Sequence, residues 1–142
     1  LIQKIRKSIP YLLPIVAAVL IIGLILSRVV DSDSSTPPEP EITITVDEAA
    51  NHIGDVAEVC GEVSSADYLP QIGGEPTFIN FGRPHPNQVF TAVIWGEHRH
   101  LWQTPPDELF EGREICVSGE VRMHEGTPQI VVERRDQIKP KN

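Results

Sequence analysis

Between Pro76 and Gly96 the chain reads PTFINFGRPHPNQVFTAVIWG, which sets Phe78, Phe81, Phe90 and Trp95 beside the carboxamide of Asn80 and a single cation, Arg83. An exposed aromatic ring stacks on a base for about 1–3 kcal/mol, and a neighbouring arginine can take a phosphate. Phe78, Asn80, Arg83, Phe90 and Trp95 are therefore the candidate ligand-binding set. Alternation along a strand sends about half of these rings inward, where aromatic side chains fill small barrels. The barrel-wall reading of the rings is accordingly placed ahead of the reading-face one.

Other residue types with chemical capacity are thinly spread. His98 and His100 in GEHRHLW are separated by one residue, as metal ligands on a strand would be, but His85, His124 and Glu97 stand at no matching spacing for a third ligand. The two cysteines, Cys60 and Cys116, form no C-x-x-C pair, and zinc normally takes four ligands. The serines of VSSAD and VSGEV have no base at a recognisable spacing, and Gly73-Gly74 lacks the phosphate-cradling pattern of a P-loop. No catalytic residue, metal or cofactor is expected, and the chain is not read as an enzyme.

Charge restricts partners. From Ile42 onward there are 8 Lys and Arg against 16 Asp and Glu, a net of −8, so the whole deficit of the chain lies in this part. Nucleic acids are bound largely through cations that displace condensed counterions. Arg83, Arg99, Arg113 and Arg122 are scattered and Arg134-Arg135 is the one basic doublet, so a polyanion is disfavoured.

The first forty residues serve another purpose. Tyr11–Val30, YLLPIVAAVLIIGLILSRVV, is apolar up to Ser27 and Arg28, and about 20 such residues cross roughly 30 Å of hydrocarbon as a helix. The run exceeds the about 7–15 residues of a signal-peptide core, and no small-x-small cleavage site follows Leu26. A single uncleaved transmembrane signal-anchor is expected, with a cleaved signal peptide as the alternative. Lys4, Arg6 and Lys7 precede the span, whereas Asp31, Asp33, Glu39 and Glu41 follow it. The positive-inside rule then puts residues 1–10 in the cytoplasm and the remainder outside the cell membrane. Residues 31–41, DSDSSTPPEPE, read as a solvated, partly extended tether.

Residues 42–142 must supply the elements that position the candidate set. In TVDEAANHIGD, Thr45 and Glu48 have capping-box spacing ahead of an apolar stripe, which predicts a short helix ending near Gly54. VAEVCGEVSSADY, PTFINFG and VFTAVIWG read as strands, Gly61 marking a bend or bulge in the first. In the second, Thr77, Ile79 and Phe81 share one face, and Phe78 and Asn80 the other; in the third, Phe90, Ala92 and Ile94 alternate with Val89, Thr91, Val93 and Trp95. TPPDELFEG predicts a one- or two-turn helix capped by Thr104. REICVSGEVRMHEGTPQIVVERRDQI then predicts a strand, a turn at Glu125-Gly126 and a last strand around Gln129–Glu133. Five strands with a helix between the third and fourth match the all-β OB-fold, a five-stranded Greek-key barrel.

The stretches HIGDVAEVCGEV, PTFINFGRPHPNQVFTAVIWG, REICVSGEV and PQIVVERRDQI resemble a family of small bacterial OB-fold domains that are secreted, membrane-anchored or joined to other modules. Members are often labelled nucleic-acid-binding or thermonuclease-like. The resemblance covers about the last hundred residues and implies the fold. It transfers no catalytic residue, because the paired carboxylates and arginines of the thermonucleases have no counterparts at matching positions. In such a barrel the strands bearing Cys60 and Cys116 are antiparallel neighbours, and outside the cytoplasm a structural disulfide is expected between them.

The expectation is thus a single-pass, membrane-anchored, extracytoplasmic module without catalysis, binding an envelope protein or a small polar ligand. Single-stranded DNA or RNA across the second and third strands is the second reading. A degenerate nuclease-like enzyme is the third.

Overall fold

In the computed structural model residues 39–141 are described. Residues 1–10, the apolar segment 11–30 and most of the expected tether lie outside the described residues, so the expectations of a membrane span and of its orientation fall there. Among the described residues no helix is long and apolar enough to cross a membrane.

The chain enters through β1 (Ile42–Thr45), which runs parallel to the first half of a thirteen-residue strand, β2 (Val56–Tyr68), with Ile42 opposite Ala57 and Thr45 opposite Cys60. The ladder changes the outcome for the helix expected from Thr45. The Val46 amide donates to the Cys60 carbonyl, so the backbone stays extended, and helical geometry shrinks to a 3-10 turn at Ala49–Asn51. Glu48 nonetheless reaches back as its spacing suggests: its Oε2 accepts from the Thr45 amide and the Thr45 hydroxyl, each at 2.8 Å. A nucleus of one turn does not offset its own entropy without further packing. Here the β-branched residues before it are already held in a ladder.

β3 (Thr77–Phe81) and β4 (Phe90–Ile94) follow as an antiparallel pair, and a 3-10 turn at Gly96–Leu101 leads to the helix α1 (Pro106–Phe110). Pro105 stands at the helix cap and Pro106 at its first position; Thr104 makes no capping bond, which corrects that expectation. The fixed φ of proline suits the first turn without a side-chain cap. The strands β5 (Glu114–Glu120) and β6 (Arg122–His124) are separated only by Val121. The turn at Glu125 and Gly126, with φ of 47° and 83°, returns the chain as β7 (Thr127–Val131), and β8 (Ile138–Pro140) ends it. Positive φ at both central residues is the type I′ geometry that matches strand twist.

The fold is all-β with short helices, but the described residues form eight strands rather than the expected five. The ladder order is β6-β7-β4-β3-β2-β5-β8 with β1 added to β2, and the sheet does not close on itself. β1 and β8 are the unforeseen edge strands, and Val121 divides in two the segment read as one strand. β4 and β7 pair in parallel, and the other neighbours on the path are antiparallel.

The core lies on one side of this curved sheet. Phe81 and Phe90 are fully buried with ring centroids 5.3 Å apart, and Trp102 meets Phe110 edge-on at 6.1 Å. Tilted and edge-to-face pairs avoid stacking like-charged ring faces. Gly61 is required by close approach: a Cβ there would lie 2.7 Å from Val46 Cγ1. On the opposite face of β2, Cys60 stands directly across from Cys116 with Cα atoms 4.0 Å apart, and the two form a disulfide.

Behind β7, the nearly buried Gln137 ties three segments together. Its Oε1 accepts from the amides of Glu133 (2.8 Å) and Arg134 (2.9 Å), while its Nε2 donates to the carbonyls of Ser118 (2.9 Å) and Val131 (3.3 Å). Its four bonds satisfy backbone groups that leave the β-ladder where the chain turns away from β7.

Candidate functional site

A register shift in β2 creates the site. Up to Val63 the odd-numbered residues of β2 face the core, as the burial of Ala57, Val59 and Val63 shows. The pairing with β3 then slips between Val63 and Ser65, and beyond it Ala66 pairs with Ile79 on the core side. A slip of one residue exchanges the two faces of a strand. It sends Ser65 and Asp67 to the outer face, beside the even-numbered residues of β3.

Two rows consequently cross four strands on that face. One runs Ser65, Asn80, Thr91, Gln129, and the next runs Asp67, Phe78, Val93, Val131, each residue paired in register with the one after it. The first row is polar and bonded along its length. The Thr91 hydroxyl donates to Asn80 Oδ1 at 3.2 Å, and Asn80 Nδ2 donates to Ser65 Oγ and Asp67 Oδ2, both at 3.1 Å. Ser65 Oγ in turn donates to Asp67 Oδ2 at 3.1 Å. Asn80 is 1% exposed and Thr91 5%, yet both lie on the side away from the core. Buried polar groups that satisfy each other make a rigid floor, because losing any partner leaves another unpaired in a poorly solvated place.

Loops raise this floor into a groove of about 700 Å3. The β3–β4 loop contributes Pro84, His85, Pro86 and Gln88; the β2–β3 side contributes Leu69 and Ile72; the β6–β7 hairpin contributes His124, Glu125 and Thr127. That volume falls within the range of small-molecule sites, about 300–1,000 Å3. Among the described residues that line it the ionisable ones are Asp67, Glu125, His85 and His124, with no lysine or arginine. Gln88 Oε1 is buried at this groove with no hydrogen-bond donor among the described residues.

The structure divides the sequence-derived candidate set. Phe78 and Asn80 meet in the groove. Phe90 is fully buried against Phe81 and belongs to the core, since its parity in β4 points it inward. Arg83 is exposed in the β3–β4 loop but does not line the groove. Trp95 is half-buried beyond the end of β4, where its ring covers Gly74; a Cβ on Gly74, whose φ is +84°, would sit 2.8 Å from that ring. Ser65, Asp67, Thr91 and Gln129 were missed. Alternation had flagged the faces of β3 and β4, but nothing local marks the slip in β2 or the parallel register of β7.

Several cations are already engaged elsewhere. Arg99 Nη1 donates to Thr77 Oγ1 at 2.6 Å and to Asp107 Oδ1 at 2.8 Å, and its guanidinium lies 3.7 Å above the ring of Tyr68. The Tyr68 hydroxyl donates to Glu75 Oε2 at 3.0 Å, which pushes the phenol above its ordinary pKa. Arg122 pairs with Glu120, whose carboxyl it holds below the usual carboxylate range, and Arg134 pairs with Asp136. His98 and His100 sit in the 3-10 turn after β4 rather than on a strand, with His98 Nε2 3.6 Å from Glu97. Among the described residues, the group of metal-type ligand atoms within 4.8 Å of one another is Glu58, Cys60 and Cys116. Its two sulfurs are tied up in the disulfide.

No family model and no curated protein matches the chain. Among solved structures it is similar to a chain described as "a putative aspartyl-tRNA synthetase from Leishmania major Friedlin", at 14% identity and a TM-score of 0.41. That alignment covers 73% of this chain and 21% of the other, so this chain spans about a fifth of the synthetase's length. No functional statement rests on a likeness at that level.

Proposed function

We propose that residues 42–142 are a non-catalytic OB-fold module that binds a small polar ligand in the outer-face groove. The chain is anchored through residues 11–30 and holds the module outside the cell membrane. The OB-fold element order is supported by the succession of antiparallel β2-β3-β4, a parallel β4–β7 pair and α1 between β4 and β5, with β5 and β6 taken as one strand kinked at Val121 in a sheet that stays open. Membership in the small bacterial OB-fold family rests on the same element order and on the motifs quoted above. The disulfide supports an oxidising compartment, because cytosolic thiols are ordinarily kept reduced.

The observation that carries the ligand-binding reading is the groove itself. It has a hydrogen-bonded polar floor, an aromatic ring beside it and a lining without lysine or arginine. A nucleic-acid strand laid there would meet Asp67 and Glu125 with no cation to release counterions.

A thermal-shift screen of the full chain in detergent tests this reading. An uncharged polar compound at a hundred times its Kd should stabilise the protein by about 2.7 kcal/mol. The effect should vanish in Gln129→Trp, which fills the groove from β7. A fluorescent single-stranded dT oligonucleotide should bind weakly at low salt and be released as salt rises. Tight, salt-resistant binding of that oligonucleotide, lost in Phe78→Ala and Arg83→Ala with folding intact, would replace the proposal by the nucleic-acid reading.

A further inference from the structure

A second groove, of about 690 Å3, opens over the disulfide, with Thr43, Glu58, Cys60, Cys116 and Lys139 in its lining. Register explains why these residues gather. Thr45, Cys60, Cys116 and Lys139 are successive partners across β1, β2, β5 and β8, and Thr43 pairs with Glu58 two residues back. Partners in register share a face, and none of these six belongs to the packed core cluster. The disulfide therefore lies on the face of the sheet that looks away from the core.

Opening the bridge would leave its neighbours in place. β2 and β5 are joined by seven consecutive residue pairs, from Val56–Glu120 to Glu62–Glu114, and that backbone ladder needs no sulfur. Two thiols would then stand side by side on one face, and Glu58 completes a ligand set with them. A carboxylate oxygen of Glu58 and the two sulfurs lie within 4.8 Å of one another. Around a tetrahedral zinc ion, bonds of about 2.3 Å to sulfur and about 2.0 Å to oxygen place the ligand atoms about 3.5–3.8 Å apart. Parting of the sulfurs and a small inward turn of Glu58 meet that requirement.

The carboxylate is already oriented. Thr43 Oγ1 donates to Glu58 Oε1 at 3.3 Å, the kind of outer contact that fixes a metal ligand. Thiolates favour zinc over magnesium or calcium. Two thiolates and a carboxylate around a divalent ion leave one negative charge, and Lys139 stands beside Cys116 to balance it. Three protein ligands leave the fourth position to water.

We propose that Cys60, Cys116 and Glu58 form a redox-gated zinc site, closed as the disulfide and opened by a dithiol reductant. The dithiol passes two electrons to the bridge, giving the thiols of Cys60 and Cys116 and the disulfide of the reductant. Zinc then displaces the two thiol protons and binds both sulfurs and the carboxylate.

The test uses the full chain in detergent, reduced with a phosphine that is then removed without air. Cobalt(II) is the probe, since its bonds to thiolate give a charge-transfer absorption, and zinc is the competitor. The reduced chain should keep the tryptophan emission of the parent, bind one equivalent of cobalt with that absorption and surrender it to zinc. The oxidised chain should show no such band. Thr43→Val, which removes the donor to Glu58, should weaken binding about tenfold, and Glu58→Gln should weaken it further. No charge-transfer band in the folded, reduced chain overturns the proposal, and so does loss of the fold on reduction. Equal cobalt affinity in the parent and Glu58→Gln also overturns it, since the thiols would then bind metal without the third ligand.

Discussion

Gln137→Ala isolates the tie that holds β7 to the rest of the sheet. The side chain is 7% exposed and makes four hydrogen bonds, three of them between 2.8 and 2.9 Å. A typical internal hydrogen bond contributes about 1 kcal/mol net, and a buried group left unsatisfied costs about 1–3 kcal/mol. Glu133 is exposed and Arg134 partly so, so their freed amides can turn to water, while the carbonyls of Ser118 and Val131 lose their side-chain donor. The expected loss is about 2–3 kcal/mol, which for a domain of this size lowers Tm by roughly 10–20 °C. Urea unfolding followed by the fluorescence of Trp95 and Trp102 measures it, with the disulfide intact in both proteins. Gln137→Glu sharpens the test. The variant keeps the shape but turns a carboxylate toward the carbonyls of Ser118 and Val131, which favours its protonated form. Its folded-state pKa is then raised above the unfolded value. The deficit should be largest at neutral pH and shrink as pH falls through that raised pKa. If both variants unfold within about 0.5 kcal/mol of the parent, the range of an ordinary surface change, the tie contributes nothing and the reasoning fails.

Other consequences are as direct. Closing a loop of 56 residues, Cys60–Cys116 should stabilise the domain by about 4 kcal/mol in the chain-entropy model, read as the gap between the parent and a Cys60→Ala/Cys116→Ala variant. On the proposed extracytoplasmic placement neither thiol should take an alkylating reagent before reductant is added, and free labelling of both in exported protein would dispose of the disulfide. Phe90→Ala should lose about 3–5 kcal/mol of stability by opening a cavity in the wall, whereas Phe78→Ala should chiefly lose ligand; equal stability effects would contradict the assignment of the two rings to opposite faces. Hydrogen bonds from Thr45 hold the Glu48 carboxyl below its ordinary pKa. Its contribution is present above the unfolded pKa and is lost as pH falls through the depressed one, so an acid titration of Glu48→Gln should lack that part of the parent's pH dependence.

How far the residues announce the fold depends on how local each cause is. The turn at Glu125-Gly126, the parity of β3 and β4 and the place of α1 follow from nearest-neighbour chemistry, and each is legible. β1 is less so, because Ile42–Thr45 is four residues long and runs into a genuine Glu48 reach-back that resembles a helix start. Only the ladder to β2, which binds the Val46 amide to Cys60, decides between strand and helix. β8 is three residues long, too short for any period to register. The candidate site fell between these cases. Phe78 and Asn80 were visible as one face of a strand, but their neighbours Ser65 and Asp67 reach that face through a slip between Val63 and Ser65, and Thr91 meets Gln129 across a parallel pairing. Both are long-range choices of register, whereas the burial of Phe90 beside Phe81 follows from the parity it shares with Ala92 and Ile94.

The most direct test of the central claim is an amide NMR titration of the full chain, first with an uncharged polar compound that raises its thermal stability and then with a single-stranded dT decamer at low salt. Saturable shifts at Asn80, Thr91 and Gln129 with that compound, and none there with the decamer, are what a polar groove lined without lysine or arginine predicts. Saturable shifts at those three residues with the decamer alone would contradict it.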